Sequence, residues 1–197
     1  MIFPKSGIIR PEKDKGGSMS RAPADFKIGI PESDDRERRM CQRCDFIDYV
    51  NPKIVVGSVV TWEDKILICK RAIEPRLGFW TLPAGFMENG ESIEEGAARE
   101  AREEACADIE IERLLAVYSI PRISQVQIMF KAKLRSPDIA AGPESQDVML
   151  VTWDEIPWKE MAFPSAVWAL KQWHSLNGET VHPPFGNPEG TEHMTRG

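Results

Sequence analysis

Three glutamates on one predicted helix are the side chains of this sequence with the clearest chemical use. Glu100, Glu103 and Glu104 follow an i, i+3, i+4 spacing, which places them within one arc of a helix about 100° wide. Like charges at this spacing destabilise a helix by roughly 0.2–0.5 kcal/mol per pair. A hard divalent cation with oxygen ligands, Mg²⁺ or Mn²⁺, would supply the missing counter-charge. On charge alone, a solvated acidic helix face is the simpler interpretation.

The helix that carries these glutamates is predicted over residues 92 to 105. Ser92 and Glu95 have the spacing of a capping box at its start. Small and apolar residues recur at helical spacing on another face, namely Ile93, Ala97, Ala98, Ala101 and Ala105. Because that face must pack inward, the helix is expected to lie against a sheet.

Apolar runs predict strands on both sides of this helix. They cover residues 54–62, 66–69, 79–82, 109–120, 126–134 and 148–153. A second helix is predicted from Pro164 to Leu176, with proline tolerated in its first turn. Many strands with only two or three helices predict an α/β (α+β) fold with a mixed sheet covered by helices, rather than a regular βαβ repeat.

The two ends of the chain have no apolar period. Prolines interrupt any helix in residues 1–40, which we predict to be a flexible arm. Met19 follows Gly16-Gly17-Ser18 and is an alternative first residue. Residues 177–197 are rich in Gly, Pro and His and are predicted to be a loose tail.

The stretch from Gly85 to Ala107 resembles the Nudix box. That pattern reads Gly, five residues, Glu, seven residues, Arg-Glu, a hydrophobe, any residue, Glu-Glu, any residue, Gly and a hydrophobe. The matching residues are Gly85, Glu91, Arg99, Glu100, Ala101, Glu103, Glu104 and Ala107. Cys106 stands where the second glycine is usual. Since that glycine ends the helix, often in a left-handed conformation, Cys106 should cost about 1 kcal/mol or shift the helix end by one residue.

The resemblance implies an α/β/α sandwich around a mixed sheet, over residues 53–176, and a role for each matching residue. The implied ligands of the catalytic cations are Glu100, Glu103, Glu104 and the backbone carbonyl of Ala84. Arg99 and Glu91 would pair to brace the loop, and Gly85 would allow a close backbone approach. For Arg99 and Glu91, an ordinary surface pair is the alternative.

The implied reaction is hydrolysis of the pyrophosphate bond in a nucleoside diphosphate linked to another group. Bound cations neutralise the phosphate oxygens, polarise the phosphoryl group and lower the pKa of a bound water. A carboxylate then removes the proton of that water. In the family this base is a box glutamate, here Glu103 or Glu104, or an acid on a later loop. Glu144 is the first candidate of the second kind and Asp147 the second, and a plain polar loop is the alternative.

The cysteine pair Cys41-Gln-Arg-Cys44 resembles part of a narrower Nudix group, which has a zinc ribbon of two Cys-x-x-Cys knuckles and includes ADP-ribose and FAD pyrophosphatases. The likeness covers roughly residues 27 to 174. A tetrahedral zinc site needs four ligands, yet no cysteine precedes Cys41, and Cys69 fits a core strand. We therefore predict a degenerate zinc-ribbon segment, with residues 41–52 as a remnant knuckle; zinc held by Cys41 and Cys44 is the less favoured alternative.

The resemblance favours ADP-ribose or FAD as the substrate. Residues 118–125 lack the Ser-Gln-Pro-Trp-Pro stretch of the NADH-type group, and Pro121 lies near the proline position of ADP-ribose-type members. Arg71 and Arg76 are candidates to contact the substrate phosphates, with exposed arginines as the alternative. NADH, another dinucleotide or a nucleotide sugar, and a non-catalytic ADP-ribose sensor, stay open as alternatives.

Composition and charge disfavour several other classes of protein. A net charge of −6 disfavours a nucleic-acid or membrane-surface partner, and no apolar run approaches the roughly 20 residues of a spanning helix. Four cysteines in 197 residues do not make a disulfide scaffold. The first residues lack the apolar core of a secretory signal, which predicts a cytoplasmic protein. We also expect a homodimer, with Trp158, Met161 and Phe163 as candidate contacts.

Overall fold

The computed structural model describes residues 25–179 and 181–195, which belong to two compact units that divide between Val50 and Asn51. The first unit holds a small antiparallel sheet of three strands, β1 (Phe26–Gly29), β2 (Arg38–Cys41) and β3 (Ile47–Asp48), in the order β1-β2-β3.

Part of the predicted flexible arm over residues 1–40 is therefore wrong. Residues 1–24 lie outside the described part of the chain, but β1 and most of β2 fall inside the predicted arm. Their side chains are exposed or half-buried, so the two strands have no apolar period to predict them. An ion pair from Arg38, the first residue of β2, to Asp34 in the preceding loop at 2.8 Å helps to order the connection between them.

The second unit is built on a seven-stranded mixed sheet with helices on both faces, as the sequence predicted. Its elements are β4 (Lys53–Trp62), β5 (Lys65–Arg71), β6 (Trp80–Thr81), β7 (Ala84–Phe86), α1 (Ile93–Ala105), β8 (Ile109–Ile120), β9 (Gln125–Leu134), β10 (Ser145–Val151), α2 (Pro164–Ser175) and α3 (Glu192–Thr195). Five strands run in the order β10-β5-β4-β9-β8, while β6 pairs with β5 and β7 with β4. Only the β4–β9 pair is parallel among the strand pairs of the described residues.

The sheet buries both faces because β4 and β5 alternate apolar side chains to either side. On one face, Val59 and Ile66 pack with Trp168 of α2. On the other face, Val60 and Leu67 pack with the alanines of α1. Among the described residues, no helix is long and apolar enough to cross a membrane.

Helix α1 begins and ends at the residues that local chemistry favours. At its start, Ser92 and Glu95 form the predicted capping box, each side chain accepting from the other's backbone N–H. At its end, Cys106 adopts the left-handed conformation with φ 50°. A non-glycine residue in this conformation costs about 1–2 kcal/mol, so Cys106 takes the glycine's place without shifting the helix end.

The predicted loose tail over residues 177–197 is also corrected. Residues 196–197 and Thr180 lie outside the described chain, but Phe185 pairs with Ala116 of the edge strand β8, and α3 follows. Hydrogen bonds to a sheet edge need no apolar pattern in the segment that makes them, so the sequence carried no signal for this attachment.

Candidate active site

A cavity of about 800 Å³ lies on one side of the second unit, and its walls differ in chemistry. One wall is acidic and is lined by Glu88, Glu100, Glu103, Glu104 and Glu144, with Arg99 among them. The remaining lining is mainly apolar and amide-bearing, with Arg71, Glu74 and Arg122 as its charged members, and includes Ile120, Ile123, Gln125, Gln127, Met129, Phe163, Trp168 and Met194. Such a cavity suits a molecule with a highly charged group at one end and a flat, less polar group at the other.

The acidic wall is held by a close approach of α1 to β7. Glu104 is almost fully buried, and one of its carboxylate oxygens accepts a hydrogen bond from the backbone N–H of Ala84 at 3.1 Å. A Cβ atom on Gly85 would collide with the carboxylate of Glu100. Glycine at residue 85 therefore lets the backbone of β7 lie directly against the glutamate.

Arg99 ties the loop before α1 to the glutamates of the helix. Its guanidinium donates to both carboxylate oxygens of Glu91, at 3.0 and 2.9 Å, and to the carbonyl of Phe86 at 3.1 Å. It also donates to Glu100 at 2.7 Å and to Glu103 at 2.9 Å. The hydrogen bonds from Arg99 lower the pKa of Glu91 to about 2. With side-chain exposures of 18% and 15%, Arg99 and Glu91 are not an ordinary exposed surface pair.

Burial raises the pKa values of Glu104 and Glu100, the two glutamates that lie against β7. It raises the pKa of Glu104 to about 8, with the negative charges of Glu100 and Glu144 adding to the effect and the Ala84 N–H opposing it. Burial likewise raises the pKa of Glu100, against the opposing hydrogen bond from Arg99. Ionising both carboxylates therefore costs free energy unless a further positive charge is present.

The donor set of the acidic wall fits a hard divalent cation. Glu100, Glu103 and Glu104 offer carboxylate oxygens of the kind that Mg²⁺ and Mn²⁺ prefer. Within the described residues, however, no three acidic, histidine or cysteine side chains converge on one cation position. Arg99 explains this arrangement, since it draws Glu100 and Glu103 towards its own guanidinium.

The loop that carries Glu144 also caps the end of α1. The backbone N–H of Gly142 donates to the carbonyl of Glu104 at 3.0 Å, and that of Ala140 donates to Ala105 at 3.0 Å. These bonds satisfy carbonyls that a helix end otherwise leaves free. Glu144 lines the cavity, whereas Asp147 lies outside the described lining and accepts a hydrogen bond from Val148 N–H.

Replacing Gly142 with alanine is expected to damage both the cap and the placement of Glu144. A Cβ at residue 142 would overlap the backbone carbonyl oxygen of Glu103, which cannot move without disturbing the helix. Overpacking of this kind costs about 1–3 kcal/mol, or roughly 2–12 °C in Tm for a domain of this size. Thermal melting monitored by circular dichroism measures it. Gly186→Ala is the matched control because nothing lies within 4 Å of its added Cβ, and equal melting of the two variants would contradict the expected overlap.

The two arginines predicted to contact phosphates differ in position, since Arg71 is in the described cavity lining and Arg76 is not. Arg71 is buried and lines the cavity, where its Nε donates to the carbonyl of Pro75 at 2.8 Å and its guanidinium lies 5.1 Å from the ring centre of Phe163. Arg76 is not part of the described lining and lies over the Phe79 ring instead. Of the two arginines, Arg71 is therefore the one in the described cavity lining.

Several lining residues were missed by sequence reasoning. Phe163 was expected at a dimer contact, yet it faces the cavity beside Arg71. Gln125 and Gln127 alternate along β9 and share a hydrogen bond of 3.2 Å. Their spacing of two at the start of a predicted strand was an available signal for a polar patch on one sheet face. Met194 carried no such signal.

The cysteine pair lies in the first unit, with Cys41 at the end of β2 and Cys44 in the turn before β3. The backbone N–H of Arg43 donates to the sulfur of Cys41 at 3.4 Å. Together with a hydrogen bond from the Cys44 thiol, it lowers the pKa of Cys41. Within the described residues, these two thiols are not part of a group of three or more metal-ligating side chains. The degenerate zinc ribbon stays a prediction, and zinc held by Cys41 and Cys44 stays its less favoured alternative.

Comparisons with known proteins agree with the fold. A family model described as NUDIX domain matches residues 51–173. ADP-ribose pyrophosphatase of Methanocaldococcus jannaschii is 31% identical over 113 residues, covering 55% of this chain and 67% of that protein. NAD-capped RNA hydrolase NudC of Photobacterium profundum is 30% identical over 123 residues, but the match spans only 44% of its length. The crystal structure of a NUDIX hydrolase from Nitrosomonas europaea superposes with a TM-score of 0.78 at 45% identity, covering 86% of this chain and 97% of the other.

Proposed function

Because this chain belongs to the Nudix hydrolase family, we propose that it hydrolyses the pyrophosphate bond of a nucleoside diphosphate linked to another group, ADP-ribose or FAD, in a divalent-metal-dependent reaction. One observation carries the proposal: a single cavity joins an acidic wall to an apolar and amide-bearing one. The diphosphate would lie at the acidic wall and the nucleoside at the other. For ADP-ribose, the products are AMP and ribose 5-phosphate.

The residues of the acidic wall and Arg71 would have different roles in the reaction. Glu100, Glu103, Glu104 and the carbonyl of Ala84 would hold Mg²⁺ or Mn²⁺. When bound, the cation neutralises phosphate charge and activates water. Arg99 fixes the loop and orients Glu100 and Glu103 through its hydrogen bonds. Arg71, a buried residue of the cavity lining, would contact a phosphate oxygen.

Glu144 is the residue that we favour as the base that removes the proton of the attacking water. Glu104 already accepts from Ala84 N–H, and Glu103 from Arg99, so both carboxylates have partners that limit their movement. Glu144 lies on a loop facing them, close enough for its charge to raise the pKa values of Glu100 and Glu104. Its carboxylate would therefore be close enough to the acidic wall to take a proton from a water bound there.

The alternatives differ in what they need from the cavity. NADH or another dinucleotide is supported by the likeness to the NudC hydrolase, which acts on an NAD-capped RNA. A sensor that binds ADP-ribose without cleaving it needs no cluster of repelling, buried glutamates, so the acidic wall favours an enzyme. The homodimer and the cytoplasmic location stay predictions from the sequence.

A substrate panel tests the proposal directly. The protein is incubated with Mg²⁺ and ADP-ribose, FAD, NADH, diadenosine polyphosphates or nucleotide sugars, and products are separated by chromatography with mass detection. ADP-ribose or FAD is expected to be cleaved fastest, with AMP among the products. A preparation of Glu104→Gln made in parallel excludes a contaminating hydrolase. Binding of ADP-ribose with no cleavage would favour the sensor instead, and no cleavage or binding of any compound would overturn the proposal.

A further inference from the structure

A segment outside the matched family domain contributes to the cavity. The family model ends at residue 173, whereas Met194, in the short helix α3, is part of the cavity lining. The segment in question is residues 181–195, which we call the C-terminal strap. Its attachment to the rest of the second unit decides whether Met194 is a fixed part of the cavity.

Backbone hydrogen bonds join the strap to the edge strand β8. The N–H of Val117 donates to the carbonyl of Phe185 at 2.9 Å, and the N–H of Phe185 donates to the carbonyl of Leu115 at 2.9 Å. This short parallel pairing covers part of an otherwise open sheet edge. It also fixes the direction in which the strap leaves the sheet.

Two side chains extend this attachment. Asn187 bonds the backbone of Ser119 twice, accepting from its N–H at 2.9 Å and donating to its carbonyl at 2.8 Å. Gln172 of α2 accepts from the hydroxyl of the buried Tyr118 at 2.6 Å and donates to the carbonyl of Gly186 at 3.0 Å. The strap is therefore tied both to β8 and, through Gln172, to the core.

The end of the strap is held beside the cavity. Thr195 is buried, and its hydroxyl donates to the carbonyl of Glu192 at 3.2 Å. The Nε of Arg122 makes a long hydrogen bond, 3.5 Å, to the carbonyl of Met194. The Met194 side chain shares the lining with Ile120 and Ile123. These three side chains make an apolar part of the cavity lining.

We propose that the C-terminal strap is part of the substrate site and that Met194 is a specificity-determining contact for the nucleobase. This inference rests on the proposed function. A thioether beside two isoleucines suits the flat apolar face of a base, because sulfur packs well against aromatic rings. A ribose phosphate has no such face. The amides of Gln125 and Gln127 are in the same cavity and can meet the polar edge of a base.

Steady-state kinetics with ADP-ribose and calorimetric binding of AMP test this assignment. Met194→Ala is expected to raise KM for ADP-ribose and Kd for AMP by a similar factor, roughly 3- to 10-fold, the loss of one or two methylene-sized contacts. The turnover number should change less than twofold, since a thioether carries no charge and no acidic or basic group for the reaction at the diphosphate. Met194→Leu should restore most of the affinity, and Asn187→Ala, which loosens the strap, should weaken AMP binding in the same direction.

Val181→Ala is the matched control, because Val181 lies in the same strap and is 84% exposed. It should leave KM and Kd unchanged. Unaltered AMP binding in Met194→Ala, with ADP-ribose still hydrolysed, would overturn the role of Met194 while leaving the proposed function standing. Weaker AMP binding in that variant, in a protein that cleaves no compound of the panel, would support the nucleobase contact and overturn the hydrolase.

Discussion

Replacing Glu104 with glutamine is expected to lower the turnover number by about 10²–10⁴-fold, since the loss of several kcal/mol of charge stabilisation in the transition state has this effect on a rate. Glutamine keeps the volume of the side chain, and its amide oxygen can still accept the hydrogen bond from Ala84 N–H. In the metal-loaded enzyme, the change therefore removes the negative charge that Glu104 would present to Mg²⁺, without leaving a cavity or depriving Ala84 N–H of its acceptor. Initial rates with saturating substrate and Mg²⁺ measure it.

The fold of this variant should be intact. Burial raises the pKa of Glu104 to about 8, above the value near 4.3 of a solvated glutamate. The folded protein therefore binds a proton more tightly than the unfolded chain, and its stability falls as the pH rises between those values. A glutamine does not ionise, so without metal the variant should melt at or above the parent's Tm at pH 8.

The matched control for this experiment is Glu94→Gln. Glu94 lies on the same helix and is exposed, and it is not part of the described cavity lining. The same charge is removed, so a general effect of net charge on the helix would appear in both variants. Parental turnover in Glu94→Gln with a large loss in Glu104→Gln assigns the effect to the acidic wall, and parental turnover in Glu104→Gln would contradict the role given to that residue.

The acidic wall was predictable from the sequence because its determinants are local. The three glutamates and Arg99 lie within six residues of one helix, and the capping box at Ser92 fixes where that helix begins. The 3.6-residue repeat of a helix then brings the three carboxylates to one face, independently of the tertiary structure. The left-handed turn at Cys106 was a similar case, because helix ends obey short-range rules.

The opposite side of the cavity was not predictable in the same way. Its residues come from β8, β9, the start of α2 and the C-terminal strap, and only tertiary packing brings them together. Phe163 shows the difficulty: an aromatic residue before a helix has the same appearance whether it meets a second subunit or a bound ligand. The position of Met194 was still less predictable, because it depends on backbone hydrogen bonds between Phe185 and β8, and no sequence motif indicates these.

Removing divalent metal is expected to abolish hydrolysis. Among the residues that the structure describes, Arg99 is the side-chain cation bonded to the glutamates of α1, and it is already committed to Glu91 and the carbonyl of Phe86. It cannot therefore also neutralise the substrate's phosphates. Protein dialysed against excess EDTA should lose activity by at least about 10³-fold, the contribution of several kcal/mol. Added Mg²⁺ or Mn²⁺ should restore it, and undiminished hydrolysis in EDTA would contradict metal dependence.

A binding measurement without substrate tests whether the metal ion binds to the protein itself or arrives only as a complex with the substrate. A ligand at 100 times its Kd stabilises a folded protein by about 2.7 kcal/mol, which for a chain of this size is a rise in Tm of roughly 5–10 °C. Saturating Mg²⁺ without substrate should produce this shift in the parent and in Glu94→Gln. The shift should be much smaller in Glu100→Gln, whose buried carboxylate is a proposed ligand. Equal rises in Tm in all three proteins would show that Mg²⁺ binds without the Glu100 carboxylate, and would contradict a cation site at the acidic wall.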